Sequence, residues 1–334
     1  MSKFTNWPKV ELHRHIEGSM RVNTYVELAR KNGVEMPSWE KDFIRREIEL
    51  REDAPRDFSG FIRAFTYLRA VLKDKEAFTR IIIECIEDAA KENIKYLELR
   101  FNPGALVKNG IPYEDIISSV HEGVRYGEAH NDIRIGMIGI IGRDMPPELC
   151  EKATEFCVKY AHNGIDGIDL AGAETNSPTP FKPYFDCARN ASLFVTNHAA
   201  EIYAPTNIIE SIEQNNAIRI GHATRVMQSA EALQCLKNHQ VLVEGCLISN
   251  IFTGAIDKIE NHPLHELYKM GIPVLMNTDD PAVLGEIALE DEYQIAQDVL
   301  GFTDEEIQNT IIRSLDYIFR PELKKELLPK FVFS

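Results

Sequence analysis

The run IRIGMIGII (Ile133–Ile141) carries one charge in nine residues and no alternation of apolar and polar positions. A strand with one wet face alternates, whereas a strand covered on both faces reads as a continuous apolar run. Seven further short runs recur along the chain: VELH (Val10–His13), IKYLELRF (Ile94–Phe101), IDGIDLA (Ile165–Ala171), LFVTNH (Leu193–His198), AIRIGH (Ala217–His222), VLVEGC (Val241–Cys246) and PVLMNT (Pro273–Thr278). Helical patterns separate them, such as EAFTRIIIECIEDAAKEN (Glu76–Asn93) and YEDIISSVHEGVRYGEAH (Tyr113–His130). Eight buried strands alternating with helices predict an α/β fold, a (β/α)8 barrel of the TIM type. An open doubly wound sheet would want a phosphate-binding glycine loop after a strand, and neither GxGxxG nor GxxxxGK[ST] stands in a suitable place.

Two segments exceed a plain barrel. About 70 residues separate the first two strands, more than one crossover needs. Residues 22–93 are therefore read as a helical insertion or lid together with the first barrel helix. Within it FSGFIRAFTYL sets Phe58, Phe61, Phe65 and Leu68 on one helical face, which suits core packing or a helix presenting aromatic rings over the barrel mouth. The second extra is a helical tail after Ala288, in which TDEE (Thr303–Glu306) reads as a capping box. With no linker or repeat to divide it, the chain reads as one domain, 1–334.

The 334 residues include 37 basic and 52 acidic ones, a formal charge of −15. Such a surface repels phosphate backbones and anionic lipid, so a small neutral or cationic molecule is the expected partner, not nucleic acid or membrane. Six scattered cysteines without a CxxC pair suit a reduced compartment. No signal-peptide pattern and no membrane-length apolar run is present, which together predict a cytoplasmic protein.

Reactive groups of a (β/α)8 barrel sit at the C-terminal ends of its strands. Here the first strand ends in His13 and His15, the second in Arg100 and Phe101, the fourth in LAGAE, and the fifth in His198 with Glu201 just beyond. The sixth ends in His222 and the eighth in Asp279 and Asp280. Three imidazoles and a carboxylate, His13, His15, His198 and Asp279, suit a borderline divalent ion such as Zn²⁺ with a position left for water. Glu201 is placed to move a proton, and His222 and Asp280 to orient or deprotonate the water and hold a substrate. His262 and His265, in NHPLHELYKMG, lie away from the strand ends and read as surface or packing residues.

PKVELHRHIEGSMR, LAGAE, TNHAAE, RIGHATRV, CLISNIFTGA and MNTDDPAV resemble, in order, the motifs of the adenosine deaminase family among the metal-dependent amidohydrolases. The resemblance runs from about Pro8 to the C-terminal helices and is nearest to the bacterial members. It implies one zinc per chain, held by His13, His15, His198 and Asp279. The fourth strand's end has no lysine to bridge a second ion. It implies Glu201 as the acid that protonates purine N1, and His222 as the group that orients and helps deprotonate the water. Asp280 would face N7 and the Gly172 backbone N3. His15, Glu17, Phe61 and Phe65 would contact the substrate, the two phenylalanines near the ribose. The implied reaction converts adenosine or 2′-deoxyadenosine to inosine or its deoxy analogue and ammonia, a step of purine salvage. Adenine or 6-aminodeoxyfutalosine is the alternative substrate. Four positions depart from the family pattern: Glu17 for Asp, Ala173 for the Asp of AGDE, Ala200 for the Gly of HAGE, and Ala223 for the Gly of HG.

Overall fold

The computed structural model describes residues 2–50, 56–174 and 177–333. Eight parallel strands follow one another around a single sheet: β1 (Lys9–His15), β2 (Ile94–Phe101), β3 (Arg134–Gly142), β4 (Gly167–Ala171), β5 (Phe194–Ala199), β6 (Arg219–His222), β7 (Leu242–Gly245) and β8 (Val274–Met276). The architecture is the expected (β/α)8 barrel. Every run that signalled a strand overlaps one, and apart from Ile218 and Phe194 the apolar residues of those runs are buried, as strands covered on both faces require.

Closure differs from the other strand pairs. β8 is only three residues long, and it meets β1 through one bridge, Arg14 to Asp279. There the His15 amide donates to the Asp279 carbonyl (2.9 Å), and the Asp279 amide to the His13 carbonyl (3.0 Å). The register of β1 against β2 slips between Glu11 and Arg14, a bulge of the kind that re-aims side chains beside active sites. The seam of the barrel is thus made by the residues that the sequence marks as reactive.

Charged side chains inside the apolar strand runs meet within the barrel. Arg100 donates to Asp169 (2.9 Å), Glu244 (3.0 Å) and the Leu12 carbonyl (2.6 Å). Arg219 pairs with Glu98 (2.6 Å) and Glu244 (2.7 Å) and lies over the Phe319 ring. All five charged groups are fully buried. Buried charge is tolerated only when it is paired, and here two cations face three anions.

Between β1 and β2 run the helices Val22–Lys31, Lys41–Ile48, Phe58–Ala70 and Lys75–Lys91. Asp57 and Asp74 cap the last two, each accepting from a backbone amide of the first turn. In the tail, Thr303 and Glu306 form the reciprocal capping box of the helix Asp304–Ser314. Among the described residues no helix is long and apolar enough to cross a membrane.

Candidate metal centre and active site

His13, His15, His198 and Asp279 converge at the C-terminal end of the barrel, each buried, with one ligating atom apiece all within 4.8 Å of one another. Asp279 Oδ1 lies 3.3 Å from Nε2 of both His13 and His15, and the Nε2 atoms of His15 and His198 are 3.3 Å apart. The opposite nitrogens face carboxylates: His13 Nδ1 lies 2.6 Å from Glu244 and His198 Nδ1 3.1 Å from Asp169. A ring that donates from Nδ1 keeps its Nε2 lone pair, and carboxylate partners of this kind orient metal-binding histidines and raise their basicity. Among the described residues His13 Nε2, which is buried, has no hydrogen-bond partner. The set fits a divalent ion of borderline softness. Arg100, Arg219 and the His13 ring hold the Glu244 carboxyl well below its usual range despite burial. Burial lowers His198 to about 3, so its ring is neutral, as a ligand must be.

Glu201 and His222 stand beside this cluster. Burial first, then Asp279 and Glu174, push the Glu201 carboxyl up to about 8, so it carries a proton at neutral pH. Burial lowers His222 to about 4. Asp280 is raised well above its usual value by burial and by Asp279 next to it. The His13 and His15 rings hold Asp279 well below its usual range despite burial, so the two neighbouring acids are displaced in opposite directions.

A cavity of about 370 Å³ opens onto the site. Its wall includes His15, His198, Glu201, His222, Asp279 and Asp280, together with Gly172, Phe61 and Phe65. The two phenylalanine rings stack with centroids 5.6 Å apart, and Phe65 meets the His15 ring edge-on. Leu68 of the same stripe packs in the core, and the Phe58 side chain lies outside what the structure describes. Gly172 has φ of 101°, and a Cβ there would fall against the Asp144 carboxylate, so only glycine fits. Glu17 is brought near but does not form the wall. It is buried, neither carboxylate oxygen has a hydrogen-bond partner among the described residues, and Oε1 lies 3.8 Å from Nε of Arg69, which does face the cavity.

Several supporting residues were not singled out by sequence. Glu174, the last residue of LAGAE, accepts from the backbone amides of Ala200, Glu201 and Ile202 and so clamps the turn that carries Glu201. Ser249 donates to Asp279 (2.7 Å), Thr253 to Glu201 (3.0 Å), and Asn250 reaches both Glu201 and His222. Cys246, left out of the site by its lack of a motif, sits close to His222 and Asp279, but burial pushes its thiol well up and away from thiolate. His265 stacks on Phe302, as a packing residue does. His262, expected at the surface or in packing, is buried and bonded to Asn250.

Two departures from the family pattern fall on strained backbone. Ala200 and Ala223 have φ of 55° and 51°, beside His222 at 69° and Asp279 at 63°. A left-handed residue with a Cβ costs about 1–2 kcal/mol. Glycine's greater freedom in the unfolded chain gives back about 0.4–1 kcal/mol of that. Ala223→Gly is therefore expected to stabilise the fold by roughly 0.5–1 kcal/mol, a Tm rise of about 1 °C. A lower Tm for the variant would contradict this.

The adenosine deaminase family model matches residues 8–332. Adenosine deaminase of Aliivibrio fischeri is 32% identical over 323 residues, 96% of each chain. That of Serratia proteamaculans is 33% identical, again over 96% of both. Among solved structures, an adenine deaminase from Arthrobacter aurescens superposes with a TM-score of 0.89 at 28% identity, covering 97% of this chain and 98% of its own. The Arabidopsis N6-mAMP deaminase gives 0.86 at 29% identity, covering 98% of both chains. With its barrel, its strand-end histidines and its motifs matched from one end to the other, the chain belongs to the adenosine deaminase family.

Proposed function

We propose that this protein is a zinc-dependent aminohydrolase that converts adenosine and 2′-deoxyadenosine to the corresponding inosines and ammonia. The observation that carries the reading is the buried convergence of His13, His15, His198 and Asp279 beside a protonated Glu201 in one cavity. One zinc ion per chain, held by those four residues, would supply the Lewis acidity that makes water nucleophilic near neutral pH.

The chain's own groups do the rest. Glu201, positioned by Thr253, Asn250 and the Glu174 clamp, donates its proton to purine N1 and makes C6 electrophilic. His222 orients the attacking oxygen. Asp280, its carboxyl raised well above the usual range by burial and by Asp279, donates to N7, and the Gly172 amide to N3. Phe61 and Phe65 cover the ligand and exclude water. Attack of the water oxygen at C6 gives a tetrahedral carbon; of the water's two hydrogens one goes to the exocyclic amine, which leaves as ammonia, and the other restores Glu201, so that the ring is left with a C6 carbonyl and the hydrogen on N1. A reduced cytoplasmic setting and a place in purine salvage accord with the cysteine usage and with this reaction. The helices between β1 and β2 that carry the phenylalanines serve as the lid over a single barrel domain.

One observation favours a second reading, in which the substrate is adenine or another N9-substituted adenine such as aminodeoxyfutalosine. Glu17 stands behind the wall and Arg69 faces the cavity there. The relatives named above likewise span adenosine, adenine and N6-mAMP. The discriminating measurement is kcat/KM for adenosine, 2′-deoxyadenosine, adenine, aminodeoxyfutalosine and AMP. Adenosine and its deoxy analogue are expected to lead, and a preference for any of the others of about tenfold (1.4 kcal/mol) or more would overturn that assignment.

A further inference from the structure

Asn250 stands between the catalytic pair and a histidine that touches nothing reactive. Its Nδ2 lies 3.3 Å from Glu201 Oε1 and 3.1 Å from His222 Nδ1. Its Oδ1 lies 3.1 Å from His262 Nε2, and His262 Nδ1 accepts from the backbone amide of Leu264 at 3.2 Å. Both residues are buried, so no solvent competes for these bonds.

The chain of donors and acceptors has one solution. A backbone N–H can only donate, so His262 Nδ1 bears no hydrogen and the neutral ring carries its hydrogen on Nε2. Burial keeps that ring neutral, with a pKa of about 3. The atom of Asn250 that faces His262 must then be the carbonyl oxygen. The amide cannot flip, and its two hydrogens are directed at Glu201 and His222. His222 Nδ1 therefore accepts, and its own hydrogen sits on Nε2, which is turned toward Glu201 Oε2 at 3.7 Å.

We propose that His262 and Asn250 form a positioning relay that fixes the amide of Asn250, and through it the rotamer of Glu201 and the tautomer of His222. The relay makes His222 a hydrogen-bond donor toward the cavity, the orienting half of the role its motif implies. His262 is a positioning residue and acts only through Asn250. The proposal rests on the reading of Glu201 as the proton donor to a purine.

The test uses the full-length, zinc-loaded enzyme and reads kcat, KM, zinc content and Tm. Removing an outer partner of this kind typically costs about 10- to 100-fold in activity. His262→Ala is expected to lower kcat by that factor, with KM changed by less than about twofold and zinc content unchanged. His262→Gln, whose side-chain amide can donate to Asn250 in place of the imidazole, is expected to recover most of the loss. Should the alanine variant not fold, Asn250→Asp keeps the shape of Asn250 while removing its donor, and the same fall in kcat is expected. An unchanged kcat in either variant, or a glutamine variant as impaired as the alanine one, overturns the relay. Absence of ammonia release by the wild-type enzyme would instead overturn the functional reading on which it rests.

Discussion

Glu201→Gln is expected to lower kcat for adenosine by about 10²–10⁴-fold, the usual worth of a positioned proton donor, while the zinc stays bound. The amide has the shape of the acid and can still meet Thr253 and Asn250, but it has no acidic proton to place on N1. Glu201 is not in the metal-binding set, so metal content should not follow activity. The sign of the pH dependence follows from the same group. Its value in the folded protein is raised to about 8, and the protonated form is the active one. Activity therefore falls as pH rises through that value, and a nearby divalent cation draws the limb lower. The expected kcat/KM profile of the wild type has a descending limb at or below about pH 8, and the residual activity of Glu201→Gln lacks it. Activity that keeps rising to pH 9 would contradict the assignment.

Asp279→Ala is expected to abolish both metal binding and turnover. Asp279 meets Nε2 of His13 and His15 through one oxygen and accepts from Ser249 through the other. Its backbone is also half of the bridge that closes the barrel. Removal of the carboxylate takes away the only anion of the metal-binding set. The expected loss in metal affinity exceeds the roughly 10- to 100-fold that follows removal of an outer partner. Zinc content by atomic absorption and ammonia release should fall together. A variant that retains zinc and activity would contradict the role given to Asp279.

The barrel was legible because parallel strands announce themselves. IKYLELRF coincides with β2 residue for residue, VELH falls short of β1 at both ends, and the other runs start one or two positions ahead of their strands. The overshoot is largest at PVLMNT, where the last residues leave the ladder to build the seam with β1. Reactive residues at strand ends were legible for a similar reason: topology alone brings those ends together. What was not legible is the layer that holds them. Glu174, Asn250 and His262 acquire their roles through contacts between loops far apart in sequence, which no local pattern encodes. Arg100, Asp169, Arg219 and Glu244 did leave a signal. A charge inside an otherwise apolar strand run has to find its counter-charge within the barrel, and each of these does. Glu17 stands apart: its place in the motif suggests contact with substrate, and in the structure it lies buried 3.8 Å from Arg69, which faces the cavity.

The central claim is hydrolytic deamination at a single zinc centre. Its most direct test is ammonia release from adenosine by metal-stripped protein titrated with zinc. No turnover is expected without metal, and with added zinc a linear rise that saturates at one ion per chain. Turnover that persists in the stripped protein, or that rises only with a second equivalent, would contradict it.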